Sequence, residues 1–262
     1  MGSAQQQGEI WGARAQDWAE LQERVLLPAY EEVLSRLQVG KGTRLLDVGC
    51  GAGLAAILAA ERGAQVWGLD ASSALIAIAR SRLPAGDFRV GEMEELPYAE
   101  GSFDAVTGFN AFQYAANPVH ALQEARRVTR PGGLVAMVVW GQARDCEHAA
   151  TLAAVAALLP PPPPGSEAAG PFALSEPGKV EALMSQAGLT PQESGEVACP
   201  FEYPDAETAW RAISSAGPLV VAIRHAGEEK VKAAVLASLE PYRTNSGGYR
   251  QRNLFRYVIA RA

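Results

Sequence analysis

The chain has 262 residues, 48% of them hydrophobic, with 23 basic against 29 acidic side chains and a formal net charge of −6. That length supports one large α/β domain with a sizeable core, and the acidic balance argues against a nucleic-acid partner, whose phosphates need a basic face. Cys50, Cys146 and Cys199 are too few and too scattered for a disulfide framework or a zinc site, so no metal is expected and a reducing cytoplasm is. Residues 1–9 are polar and lack the apolar segment of a secretion signal. No run approaches the ~20 apolar residues of a membrane span, so no membrane partner is expected.

In chain order, Trp18, Leu21, Val25, Leu26, Tyr30, Val33, Leu34 and Leu37 recur at three- and four-residue steps and predict a helix over 11–37, interrupted at Pro28. Gly40 and Gly42 lead into a strand over 44–48. A helix over 54–62, a strand over 65–69 and a helix over 73–83 stopped by Pro84 follow. Next come a strand over 87–90, a loop over 91–102 and a strand over 103–109. A helix over 118–128 ends at Pro131-Gly132-Gly133 before a strand over 134–140. Alternation with near-continuous apolar strands means a parallel sheet covered on both faces, and right-handed crossovers make it doubly wound.

After Trp140 the rhythm changes. The pattern predicts a helix over 151–159, an exposed proline-rich loop over 160–170, a helix over 177–187 capped by Gly188, and a strand over 195–203. Residues 205–239 read as mostly helical, and 254–260 as a last strand antiparallel to the rest. The expected fold is α/β: a doubly wound, seven-stranded, mostly parallel, Rossmann-like sheet with helices on both faces. An N-terminal helical lid (1–40), a cofactor-binding core (41–145) and the remainder of the sheet with a helical insertion before the last strand (146–262) make one composite domain.

The most informative stretch is Leu45-Leu46-Asp47-Val48-Gly49-Cys50-Gly51-Ala52-Gly53, followed by Asp70 at the end of the next apolar run. Glycine takes φ > 0 and has no Cβ, so a ligand can lie against bare backbone at a helix N-terminus. A carboxylate about 20 residues later suits a ribose diol. Two nucleoside cofactors compete for such a turn. Gly51-Ala52-Gly53-Leu54-Ala55-Ala56 satisfies the relaxed dinucleotide fingerprint, but Asp47 just ahead of the turn would repel a pyrophosphate. S-adenosylmethionine carries a carboxylate for the turn amides and helix dipole, an ammonium for an acid such as Asp47, and a sulfonium. Asp47 could instead merely cap the turn, and Asp70 the helix that follows it.

The chain resembles the class I S-adenosylmethionine-dependent methyltransferases, of the small-molecule "methyltransferase domain 11" type. The resemblance rests on Leu45 to Gly53, Val66 to Asp70, Val90 to Tyr98, Ser102 to Val106, Glu124 and Arg127 to Gly133, all within 44–140. It implies that Gly49 and Gly51 meet the methionine moiety through backbone. Asp70 would accept both ribose hydroxyls, and Ala71 would line the adenine. Glu92, where the family usually has Asp, would face the adenine amino group. The Met93 amide would reach a ring nitrogen while its side chain covers the ring. Asn110 stands where family members close over the methionine side.

The segment Trp11 to Trp18 is either a lid over the cofactor, bringing Trp11, Arg14 or Trp18 to the carboxylate or substrate, or a helix packed on the sheet. Tyr30 is a candidate for the same pocket. Methyl transfer is an in-line displacement that needs alignment and water exclusion, and a base only when the nucleophile must lose a proton. No catalytic residue is assigned. Among His120, His148 and His225, His148 ranks first as a weak candidate. The Ala-, Val- and Leu-rich region 205–239 suggests a mainly apolar small acceptor, and Asn110-Ala111-Phe112-Gln113 lacks the Asn-Pro-Pro-Tyr pattern of nucleic-acid amine methylation.

The leading expectation is therefore methylation of a small molecule on oxygen, nitrogen or carbon, in bacterial specialised metabolism, by a monomer or homodimer that releases S-adenosylhomocysteine. The alternatives are an NAD-dependent oxidoreductase, a non-methylating member of the fold that keeps the cofactor, and a protein or RNA methyltransferase.

Overall fold

In a computed structural model of the protein, which describes residues 2–160 and 170–262, five strands run parallel in the order expected of a doubly wound sheet. They are β1 (Arg44–Val48), β2 (Gln65–Asp70), β3 (Asp87–Val90), β4 (Phe103–Phe109) and β5 (Thr129–Trp140). The last strand, β9 (Leu254–Arg261), runs antiparallel to them, and β6 (Thr190–Ala198), antiparallel to β9 and so co-directional with the first five, completes a seven-stranded sheet of order β3-β2-β1-β4-β5-β9-β6. The order reverses between β1 and β4, and a ligand crevice opens at the carboxyl ends of strands flanking such a switch.

Alternation along β1 assigns the two faces. Leu45 joins a core with α3 (Leu27–Arg36), α4 (Leu54–Glu61) and α5 (Ser73–Arg82), while Leu46 and Val48 join one with α6 (Pro118–Val128) and α8 (Lys179–Gln186). All three β1 side chains are fully buried, each worth about 1.5–3 kcal/mol of transfer free energy. Two-sided burial is why these strands read as apolar runs rather than alternating ones. A third, small cluster of Ala15, Ala19, Ala52 and Leu75 seats the N-terminal segment on the glycine turn.

Several expectations change in detail. The N-terminal helix begins earlier, as α1 (Ala4–Trp11), and resumes as the single turn α2 (Ala15–Asp17), which passes through a π turn (Trp18–Gln22) and a 3-10 turn (Glu23–Leu26) into α3. Pro28 lies in the first turn of α3, where its missing N–H costs nothing. Pro131-Gly132-Gly133 does not separate α6 from β5 but lies within the strand, at an irregularity where Phe103 pairs with Thr129 and Ala105 with Leu134. Gly132 takes φ +75° there, and Arg130 is held by Asp104 at 2.8 Å. The strand expected over 195–203 splits: β6 ends at Ala198, and β7 (Phe201–Tyr203) pairs with β8 (Tyr249–Gln251) in a separate two-stranded sheet.

The insertion contains α7 (Ala149–Ala156), α9 (Ala206–Ser214), α10 (Gly217–Ala226) and α11 (Glu228–Leu239). These pack onto the α3 face and supply Trp210, Ile213, Leu219 and Val235 to its core. The proline-rich loop expected over 160–170 falls almost wholly outside the described residues. No helix among those described is long and apolar enough to cross a membrane.

Candidate active site

The turn after β1 is built by Gly49, Gly51 and Gly53, with φ of +70°, +56° and +88°. Each angle favours glycine, and all three positions also need the missing side chain: a Cβ on Gly53 would stand 3.0 Å from that of Ala79. A Cβ on Gly49 would stand 2.5 Å from that of Ala111, and one on Gly51 would project toward Trp18 and Glu23. The amides of Gly49 and Cys50 both donate to the Leu69 carbonyl, which ties the turn to the end of β2. Asp70 braces it from that end: its Oδ2 accepts from the Gly51 amide at 2.9 Å and its Oδ1 from the Ser72 amide at 2.8 Å.

A cleft with about 770 Å³ of empty space, its open mouth included, lies over this turn. Asp47, Gly49, Gly51 and Asp70 form its floor. Ala71, Leu75 and Met93 line one end, under Gln7 and Trp11 of α1. Leu26, Tyr30 and Phe109 line another, with the Tyr30 and Phe109 rings edge to face at 4.7 Å. Trp18, Glu23, Asn110 and Tyr114 also line it.

Three carboxyl groups, those of Asp47, Asp70 and Glu23, face the cleft. Asp47 is 2% exposed, and its Oδ1 accepts from the Thr107 hydroxyl at 2.7 Å. Burial pushes its carboxyl up to about 7 against that hydrogen bond, with Glu23 and Asp70 adding repulsion. Burial also raises Asp70, opposed by the Ser72 and Gly51 amides. Glu23, likewise 2% exposed, is raised by burial and held down by Arg82, whose guanidinium lies 2.8 Å from Oε2. Its Oε1 accepts from the Leu54 amide, the first of α4, at 3.2 Å.

Asn110 follows β4 with φ +52°, a left-handed conformation that is uncommon outside glycine and asparagine. Its side chain accepts from Gln113 and hydrogen-bonds Tyr114, whose phenol burial pushes up to about 12. Trp11 lies edge to face with both Trp18 (5.1 Å) and Tyr114 (5.4 Å), and donates to the Gln7 side chain.

Of the residues expected from sequence, the cleft gathers Asp47, Gly49, Gly51, Asp70, Ala71, Met93 and Asn110, together with Trp11, Trp18 and Tyr30. Three expectations are corrected. Glu92 does not line the cleft: its carboxylate accepts from the amides of Ala4, which starts α1, and Glu94. Arg14 points the other way, onto Ser214 and Glu228 and over the Trp210 ring, joining the N-terminal segment to the insertion. His148 is buried away from the cleft, stacked on Trp140 and bonded through Nδ1 to Gln251 at 2.8 Å; burial drives it down to about 4, so it stays neutral. His120 and His225 are exposed.

Sequence reasoning missed Gln7, Glu23, Leu26, Leu75, Phe109 and Tyr114 among others. Leu26 and Leu75 lie on predicted helices and Phe109 ends a predicted strand, so proximity to the glycine turn in a doubly wound topology could have suggested them. Glu23 had no local signal. Among the described residues, no three His, Cys, Asp or Glu side chains are grouped to hold a metal ion.

A parallel sheet in the order 3-2-1-4-5, a bare turn at its switch point and an acid ending the second strand define a Rossmann-like domain for a nucleoside-containing cofactor. A family model for a methyltransferase domain matches residues 46–137. Over 92 residues the chain is 40% identical to a demethylmenaquinone methyltransferase of Renibacterium salmoninarum, covering 35% of this chain and 39% of that one. Over 94 residues it is 35% identical to a malonyl-(acyl-carrier protein) O-methyltransferase of Serratia marcescens, covering 36% and 37%. The match thus spans less than two fifths of the length of either relative. The (4+2)-cyclase SpnF shares the fold, with a TM-score of 0.57 and 21% identity over 89% of this chain and 80% of that one. Over residues 46–137 the chain is thus similar to S-adenosylmethionine-dependent methyltransferases.

Proposed function

We propose that the protein transfers the methyl group of S-adenosylmethionine to a small, largely apolar organic molecule. The observation that carries the cofactor half is the charge of the cleft. Asp47, Glu23 and Asp70 converge on the glycine turn, where a pyrophosphate would be repelled and a ligand bearing an ammonium and a sulfonium is attracted. Bound there, S-adenosylmethionine supplies an electrophilic methyl on a positively charged sulfur. Asp70, already fixed by the Gly51 and Ser72 amides, keeps lone pairs for a ribose diol. Leu75 and Met93 offer apolar walls to the base, and Asp47 offers a carboxylate to the ammonium.

The acceptor half rests on Leu26, Tyr30 and Phe109, an aliphatic and aromatic wall beyond Asp47. Alignment and exclusion of water are the services such a wall provides to an in-line displacement. The segments 1–40, 41–145 and 146–262 act as one composite domain in this reading, since N-terminal side chains line a cleft whose floor belongs to the core.

Calorimetric titration with S-adenosylhomocysteine and, separately, NADH tests the cofactor. Binding of the first and not the second is expected, and the reverse refutes the reading. Incubating S-adenosylmethionine with a panel of phenols and quinols then tests the acceptor by the appearance of S-adenosylhomocysteine. Turnover confined to carrier-protein thioesters would refute the small-molecule half, and tight binding without turnover of any acceptor would favour a non-methylating role.

A further inference from the structure

The π turn over the glycine loop does something a regular helix could not. Trp18 and Glu23 are five residues apart, which in an α-helix sets their side chains about 140° apart around the axis. Here the Glu23 amide donates to the Trp18 carbonyl, the i to i+5 bond of a π turn, which brings the two residues to one side. Both then face the same bare backbone. A Cβ built on Gly51 would lie 3.2 Å from Trp18 Nε1 and 3.4 Å from Glu23 Oε1.

Their hydrogen-bonding states differ. Trp18 Nε1 is a buried donor without a partner, a costly condition for a group that can only donate. Glu23 Oε2 is paired with Arg82, but Oε1 has only the Leu54 amide and faces the cleft. That contact also takes the leading N–H of α4, the group a phosphate or carboxylate ligand would otherwise use. An anion is turned away from the helix terminus by a carboxylate already seated there, and the unclaimed donor beside it is the indole.

We propose that this π turn recognises the α-amino-acid end of the cofactor: the Trp18 indole N–H donates to its carboxylate, and the Glu23 carboxylate accepts from its ammonium. The proposal rests on the cofactor reading above and deepens it by assigning the part of the ligand that these two side chains read. A neutral donor next to a carboxylate complements a zwitterion, whereas a pyrophosphate would meet Glu23 head on.

The test compares S-adenosylhomocysteine with 5′-methylthioadenosine, which has the same nucleoside and thioether but no amino-acid end. Dissociation constants are measured by calorimetry for the wild type, Trp18→Phe and Glu23→Gln, with thermal unfolding as a check on folding. Each substitution should weaken S-adenosylhomocysteine about tenfold and leave methylthioadenosine unchanged. Equal weakening of both ligands by Trp18→Phe means that the ring only packs, and unchanged binding of both means that it makes no contact; either overturns the proposal. If Glu23→Gln does not fold, Trp18→Phe alone decides. A wild type that binds neither ligand but takes NADH removes the cofactor reading itself, and the proposal with it.

Discussion

Replacing Arg82 with alanine tests what holds the N-terminal segment on the cofactor turn. This one side chain donates to the Glu23 carboxylate at 2.8 Å, the Ala19 carbonyl at 2.6 Å and the Ala52 carbonyl at 3.2 Å, so it joins the π turn, the glycine turn and α5. Removing one partner of a buried ion pair costs about 3–5 kcal/mol, mainly because the other charge is stranded. Glu23 is 2% exposed but the Arg82 side chain is 29% exposed, so water reaches the gap and the lower end, about 3 kcal/mol, is expected. With a urea slope of about 3 kcal/mol/M, the midpoint of unfolding falls by about 1 M. The reasoning is specific to charge. In a Glu23→Gln background there is no carboxylate to strand, and Arg82→Ala should then cost only about 1 kcal/mol, for the two carbonyl bonds. Urea titrations of the four proteins complete the cycle. An Arg82→Ala cost that is the same in both backgrounds would refute the ion-pair argument.

Asp47, Asp70 and His148 each carry a further expected outcome. The folded protein keeps the Asp47 proton up to about pH 7, whereas the unfolded chain loses it near ~4. Ligand-free stability therefore falls as pH rises between those values and levels off above them, and Asp47→Asn flattens the slope, as followed by thermal unfolding across pH. Affinity for cationic S-adenosylmethionine should move oppositely, rising with pH up to about 7, and a calorimetric profile that ignores pH would exclude Asp47 from the ammonium's surroundings. Asp70→Ala should weaken S-adenosylhomocysteine by about 1–3 kcal/mol, through lost ribose bonds and through release of the Gly51 and Ser72 amides; an unchanged dissociation constant removes Asp70 from the site. His148→Ala should destabilise the protein by about 2–4 kcal/mol while sparing cofactor affinity and turnover, because it vacates a packed position beside Trp140. Loss of turnover at unchanged stability would reinstate His148 as a base.

What could be read from the sequence was what local chemistry decides. The glycine run, Asp47 and Asp70 carry their meaning within about 25 residues, because a strand, a turn and a helix in succession already define the cleft floor. The alternating core strands were legible for the same reason. The roof was not. Glu23 acts through Leu54 and Arg82, 31 and 59 residues away, and the π turn that aims it leaves no trace in apolar spacing. α1 escaped because Gln5, Gln6, Gln7 and Gly8 give it no apolar stripe. Glu92 misled because its position in the motif is right while the first helix claims its carboxylate. Short β7 and β8 are held by tertiary packing of Phe201 and Tyr249 rather than by any pattern of their own.

The acidic lining has a consequence for how a reaction cycle would end. Donating a methyl abolishes the positive charge on sulfur, so the spent nucleoside leaves the reaction carrying one unit less than the molecule that entered. Asp47, Asp70 and Glu23, when ionised, would attract the first and be indifferent to that part of the second. Turnover would thus weaken the grip of the cleft on its own by-product, and added salt should narrow the gap between the two affinities.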